Sequence, residues 1–164
     1  MITDGVISIE DTKIEELEAI QKIEQDKDTS RYIIPYSLEK HRAEYQKPDV
    51  FYKSIYNKAD KLAGFMILVL DSDGISLEFR RIVISDKGKG CGKRAVSLVD
   101  QICAEEFGRS RIWLDVFDFN KRGQHTYETQ GYTFVKTSDF HGKTLRIYEK
   151  IVAVKNILNN RDTD

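Results

Sequence analysis

The sequence predicts an α/β fold on one mixed sheet, and three observations carry that prediction. Strand-like runs at Val50 to Tyr56, Leu62 to Leu70 and Ile75 to Ile84 succeed one another through Asn57-Lys-Ala-Asp-Lys61 and Asp71-Ser-Asp-Gly74. Both connections carry turn residues and are too short for a crossover, so the three strands form an antiparallel meander. The run Asp86-Lys-Gly-Lys-Gly-Cys-Gly-Lys93 then opens into a helix-like stretch from about Arg94 to Phe107, and a strand at Arg111 to Phe117 follows. A strand reached through a long helix lies parallel to the one before it, which makes the sheet mixed.

Before the meander, Thr12 to Gln25 places Ile14, Leu17, Ile20 and Ile23 three apart, the spacing of one apolar helical stripe. Its opening Asp-Thr-Lys-Ile-Glu15 has the form of a capping box, with Thr12 as cap and Glu15 three residues on. Ser37 to Gln46 reads as a second short helix behind Pro35. The helix from Arg94 buries Val96, Val99, Cys103 and Phe107, widened by Ala95, Leu98 and Ile102, and Gly108 ends it. Trp113 and Phe117 read as core beside that helix. A short helix from about Arg122 to Gln130 stops at Gly131, and strands at Tyr132 to Lys136 and Thr144 to Ile151 meet at His141-Gly-Lys143.

At 164 residues, 40% hydrophobic and 32% charged, the chain fits one domain over residues 1–154 with a loose tail over 155–164. A formal net charge of −1 gives no global pull toward nucleic acid or an anionic membrane, so the lysines of the glycine run are a local cluster suited to a small anion. Two cysteines supply neither a disulfide framework nor metal-ligand spacing, and a reducing, cytoplasmic setting is expected. The longest apolar run, Phe65 to Leu70, is too short to span a bilayer, and the first residues lack the pattern of an export signal.

A strand that empties through glycines into a helix start makes an anion cradle, because the first helical amides lack internal acceptors and the helix dipole favours negative charge there. A P-loop is excluded: Lys87 stands where its first glycine belongs, and Arg94 where its serine or threonine does. Gly90-Cys-Gly-Lys-Arg-Ala95 does fit a dinucleotide fingerprint, with Asp115 twenty residues beyond Ala95. Such loops follow the first strand of a repeating βαβ pattern, however, and here a meander precedes the loop.

Lys87-Gly-Lys-Gly-Cys-Gly92 resembles the acyl-CoA loop of the GNAT superfamily of N-acetyltransferases, Arg/Gln-x-x-Gly-x-Gly/Ala, with lysine at the first position. Asn120-Lys-Arg-Gly-Gln-His-Thr-Tyr-Glu-Thr-Gln-Gly-Tyr132 resembles the same family's Asn-x-x-Ala-x-x-x-Tyr-x-x-x-Gly-Phe signature, with Gly123 and Tyr132 as the departures. The resemblance covers roughly Val50 to Ile151. It implies an N-terminal strand, helices on both faces, a splayed parallel pair around the loop, and transfer of an acetyl group from acetyl-CoA to an amine acceptor. No metal, nucleic acid or membrane partner is expected, and the protein would be a monomer or homodimer.

The resemblance also implies roles. Amides from Gly88 through Lys93, including Lys89, Gly90, Cys91 and Gly92, would cradle the pyrophosphate with Lys87, Lys89 and Lys93 balancing its charge, and main-chain groups of Ile82, Val83 and Ile84 would bind the pantetheine arm. Tyr127 matches the signature tyrosine that serves the leaving sulfur, or else it packs in the core. Asn120 binds the arm, caps the short helix, or does both. Glu78, read as alternating with Arg80 and Ile82 on one strand face, is the candidate base for the amine; its bland reading is an ion pair with Arg80 or Arg81. His41 and His125 read as surface residues, and His141 as a residue near the acceptor. The acceptor is expected between 26–36, where Tyr32 and Tyr36 could line a pocket, and the turn at Phe140-His-Gly142. A silent acyl-CoA sensor and a dinucleotide-binding oxidoreductase are the alternative functions.

Overall fold

The computed structural model describes residues 1–154; the segment expected as a loose tail lies outside them. Eight strands form one sheet: β1 (Ile2–Thr3), β2 (Ser8–Asp11), β3 (Val50–Tyr56), β4 (Leu62–Leu70), β5 (Ser76–Ile84), β6 (Arg111–Phe117), β7 (Thr133–Phe140) and β8 (Lys143–Ile151). Their order across it is β1-β2-β3-β4-β5-β6-β8-β7. Every neighbouring pair is antiparallel except β5 with β6, so the mixed sheet is as expected. The meander strands begin and end within a residue of the sequence reading, because their apolar runs and turn residues are local signals.

Helices cover both faces. On one, α1 (Leu17–Glu24) buries Leu17 and Ile20 against Tyr52, Phe65, Ile67 and Val83, and α3 (Leu38–Tyr45) adds the partly buried Leu38 and Tyr45. On the other, α4 (Cys91–Gln101), extended by a π-helical turn at Ile102–Glu106, packs Ala95, Val96, Val99, Ile102 and Cys103 against Met66, Leu68, Leu77, Ile112 and Leu114. Among the described residues no helix is long and apolar enough to cross a membrane.

Several local expectations shift. The first helix opens with a 3-10 turn at Ile14–Glu16, and Glu16, not Glu15, reaches back to the Lys13 amide at 2.9 Å. Thr12 is buried instead, its hydroxyl 2.8 Å from that of Ser54, because β3 runs beside it. A four-residue helix, α2 (Lys27–Ser30), stands inside the segment read as a loop. Trp113 and Phe117 do not pack beside α4: strand alternation gives that face to Ile112, Leu114 and Val116. Trp113 lies on the opposite side and donates its indole N–H to Asp71 at 2.5 Å.

One irregularity in β5 controls the rest. Ile67 pairs with Arg81 and Leu68 with Phe79, so Arg80 is an extra residue on β5, a β-bulge. The bulge reverses the alternation: Leu77 and Phe79 face α4 before it, Ile82 and Ile84 after it, while Val83 turns to α1 and α3. Glu78 and Arg80 therefore do not share a face with Ile82, contrary to the sequence reading.

Gly64 lets β4 and β5 approach beyond the bulge, since a Cβ there would lie 2.3 Å from the Val83 carbonyl oxygen, a main-chain atom that cannot swing away. Gly64→Ala is expected to lower unfolding stability by about 3 kcal/mol, the upper range for overpacking a dense core, read as a lower urea midpoint at unchanged slope.

Candidate active site

The parallel pair β5–β6 is joined only at Ser76 with Arg111, Leu77 with Ile112 and Glu78 with Trp113. Beyond Glu78 the strands diverge, and among the described residues that edge of β5 has no strand partner. A cleft of about 500 Å³ fills the opening, walled by Phe79 through Ile84 from β5 and Asp115 and Val116 from β6. Asn120, Gly123 and Tyr127 close one side, and Lys87 stands at the glycine-loop end.

At that end Gly88 and Gly90 take φ of +81° and +76°, and a Cβ on either would meet nothing within 4 Å. Backbone conformation, not space, requires glycine there. Helix α4 starts at Cys91, three residues before the sequence placed it, so Gly92 and Lys93 belong to its first turn. Gly90 is its N-cap with no side-chain hydrogen bond, and Arg94 N, 3.2 Å from Gly90 O, is the first amide with a helical acceptor. The amides of Cys91, Gly92 and Lys93 therefore present unmet donors at the positive end of the helix. The lysines divide. Lys87 pairs with Asp26 at 2.6 Å and Lys89 with Asp86 at 3.1 Å, whereas Lys93 has no carboxylate partner among the described residues. The buried Cys91 packs into the α4 core.

Helix α5 (Lys121–Thr129) positions Tyr127. Asn120 caps it, Oδ1 accepting from Gly123 N at 2.9 Å, and an alanine at 123 would put its Cβ 2.6 Å from Asn120 Nδ2. The glycine thus suits this cap. Gln124 Nε2 donates to the carbonyls of Phe117 (3.1 Å) and Asp118 (2.9 Å), fastening α5 to the end of β6. The Tyr127 ring sits edge-on to Phe79 at 6.2 Å and Tyr132 at 5.8 Å, and its hydroxyl has no hydrogen-bond partner among the described residues. Burial, with help from the Asp115 charge, pushes its pKa up to about 12, so it is a neutral donor at physiological pH.

A second cleft, about 370 Å³, opens on the other face of the divergence. It shares Tyr32, Ile33, Arg80, Arg81, Asp115 and Val116 with the first and adds Tyr36, Lys40, Glu78 and Phe140. The expected Tyr32, Tyr36 and Phe140 are thus in its wall, whereas His141 is not, and His125 is exposed. Glu78 receives Arg80 side-on, Nε at 3.2 Å and Nη2 at 2.9 Å, which realises its ion-pair reading. The sequence points to Asp115 only as the acidic residue of a dinucleotide fingerprint. Its carboxylate lines both clefts and is open to solvent, has no hydrogen-bond or ion-pair partner among the described residues, and has a pKa raised by the crowding of the cleft walls and then by the Glu78 charge.

Behind this wall Glu24, fully buried, accepts from the Tyr36 amide, lies 3.0 Å from His41 Nε2 and takes Arg81 Nη1 at 2.7 Å. His41 Nδ1 meets the Tyr52 hydroxyl at 2.7 Å, so His41 is not a surface residue. Its partner lies 17 positions away in the chain, which no helical periodicity signals.

The profile described as "Acetyltransferase (GNAT) family" matches residues 14–132. The chain belongs to the GNAT family of acetyltransferases. No curated protein matches its sequence. Among solved structures, spermidine N-acetyltransferase from Vibrio cholerae, in complex with CoA and spermine, superposes with a TM-score of 0.79 at 16% identity, covering 90% of this chain and 96% of that one. A candidate phosphinothricin N-acetyltransferase gives 0.75 at 16% identity, covering 90% and 99%. The GNAT match takes in the glycine loop, the whole divergence of β5 from β6 and Tyr127, so this chain is an N-acetyltransferase, with Phe140 and Leu145 of the second cleft lying beyond the matched region.

In this acetyltransferase Glu24 is also a stability element. Burial works to raise its pKa, but the His41 hydrogen bond, Arg81 and the Tyr36 amide together hold it below the usual value of 4.5. Its contribution is therefore complete above pH 4.5 and is lost as pH falls through the lower folded value. Glu24→Gln, which leaves Arg81 buried without its counter-charge, is expected to cost about 3 kcal/mol near neutrality. Denaturant titrations from pH 3 to 7 should show a shallower acid loss in the variant than in the parent.

Proposed function

We propose that this acetyltransferase moves an acetyl group from acetyl-CoA to a primary amine of a small molecule or peptide, by direct attack of the amine on the thioester. The observation that carries this reading is the meeting of two clefts at the divergence of β5 from β6, with Tyr127 on one side and an unpaired carboxylate, Asp115, at the junction. The donor cleft fits CoA in chemistry. The unpaired edge of β5 can accept an extended arm as an added strand, through main-chain groups of Ile82, Val83 and Ile84. The open amides from Gly88 to Lys93 suit a pyrophosphate, and Lys93 is the lysine not already neutralised; Lys87 and Lys89 would have to leave Asp26 and Asp86 to join it.

Acetyl-CoA supplies a thioester carbonyl open to a nucleophile. Within the protein, Tyr127 donates its phenolic hydrogen bond to the sulfur as negative charge develops there, a role its high pKa suits because it stays protonated. Asn120 uses Oδ1 for the helix cap, which leaves its amide group for the arm. For the amine's proton we assign Glu78 and Asp115 together. Arg80 is paired with Glu78, whereas Asp115 has no partner among the described residues and its pKa is raised, first by loss of solvation and then by the Glu78 charge, so Asp115 takes the proton. Two buried free cysteines favour a reducing compartment, and we place the protein in the cytoplasm.

Thiol release with an amine panel, combined with thermal shift, tests this reading. Acetyl-CoA should raise the melting temperature and NAD should not, since only a ligand of the folded state stabilises it. Tyr127→Phe should lower kcat about a hundredfold with little change in acetyl-CoA affinity, and Asp115→Asn should remove the acid limb of the kcat/KM profile. Stabilisation by NAD alone would refute the assignment; unchanged turnover in Tyr127→Phe would remove the tyrosine's role.

A further inference from the structure

The charges around the acceptor cleft cancel in pairs until two are left. Arg81 is held by the buried Glu24 at 2.7 Å, and Arg80 by Glu78 at 2.9 Å with Glu44 at 3.5 Å. The remaining ionisable groups in the cleft wall are Lys40 and Asp115. Neither has an oppositely charged partner among the described residues, whereas Arg80, Arg81 and Glu78 in the same wall are all in ion pairs. Lys40 lies on α3 with its ammonium 4.1 Å from the centroid of Tyr36, whose ring also carries the Arg81 guanidinium at 4.0 Å. The cation is thus fixed to the α3 side of the cleft by a ring that Arg81 itself helps to hold. Asp115 lies on β6 and lines both clefts. The rest of the wall is apolar and aromatic: Tyr32, Ile33, Ile34, Phe117, Phe140 and Leu145.

We propose that the acceptor is a zwitterion with an apolar body, of the class of an amino acid with an aliphatic or aromatic side chain. Asp115 takes its ammonium at the thioester end, Lys40 takes its acid group, and the apolar wall takes its side chain. The inference rests on the acetyl-transfer reading and adds the substrate class. One proton passes from the ammonium to Asp115 and on to solvent, the freed lone pair forms the C–N bond as the C–S electron pair leaves on sulfur, Tyr127 protonates that thiolate, and a second nitrogen proton makes good the one Tyr127 gives. Acetylation turns the ammonium into a neutral amide, so the product loses its pairing with Asp115 while keeping only the Lys40 contact, and this favours release. A polyamine meets the opposite situation. Its first ammonium suits Asp115, but the next lies in a cleft whose remaining free charge is a cation, and like charges there discriminate against it.

The test is a kcat/KM comparison of L-phenylalanine and L-leucine with L-phenylalaninamide, phenethylamine and spermidine, by thiol release at saturating acetyl-CoA. The acids should exceed the amide and spermidine by about tenfold or more, the worth of one charge-assisted contact. In Lys40→Met the ratio of acid to amide should fall about tenfold, and Lys40→Arg should restore it; a merely structural lysine would move both substrates equally. Acetyl-CoA stabilisation together with equal turnover of acid and amide, or with preference for spermidine, overturns the substrate class and leaves acetyl transfer standing. Absence of both acetyl-CoA stabilisation and thiol release with every amine overturns the functional reading, and this inference with it.

Discussion

The extra residue at Arg80 is the constraint on which the rest of the structure depends. Two parallel strands of regular alternation would stay hydrogen-bonded along their length and leave no opening in the sheet. Here β5 kinks after Glu78, its pairing with β6 stops at Trp113, and the core faces of its remaining residues exchange. The same displacement goes with an unpaired edge of β5 beyond Glu78 and turns Arg81 to the face that Glu78 already occupies, away from α4. Both clefts open at this displacement.

Such an insertion must be held, because two adjacent arginines on a strand carry charge into half-buried positions. Arg80 is met by Glu78 and Glu44, and Arg81 by Glu24, which also binds His41 and the Tyr36 amide. Ion pairs of this kind add little net stability, but losing one partner is expensive, so they fix geometry more than they strengthen the fold. The network ties α1, α3 and β5 together behind the acceptor cleft and leaves Lys40 and Asp115 as its uncommitted charges.

Much of this was legible in the sequence. The meander, the stripe of α4 and the Asn120 to Tyr132 segment are written in local periodicity and turn chemistry, and the structure reproduces them within a residue or two at most boundaries. The start of α4 was misplaced because Gly92 and Lys93 look like loop, whereas an αL glycine at 90 lets the helix begin without a side-chain cap. The bulge left a trace, since Arg80-Arg81 breaks the alternation of the strand, yet only cross-strand pairing shows which residue is extra. His41, Lys87 and Asp115 were read incompletely for one reason: their surroundings come from residues distant in the chain, Glu24 for the first, Asp26 for the second and Glu78 for the third.

The central claim is that the opening between β5 and β6 receives CoA as though it were a missing strand, with the phosphates at the start of α4. Amide hydrogen exchange with and without CoA measures this directly. The account predicts slowed exchange in the peptide covering 79–84 and at Cys91, Gly92 and Lys93 on CoA binding, with little change along β7 and β8. Binding of CoA that protects the β7–β8 hairpin and leaves 79–84 and the start of α4 exchanging as before would contradict it.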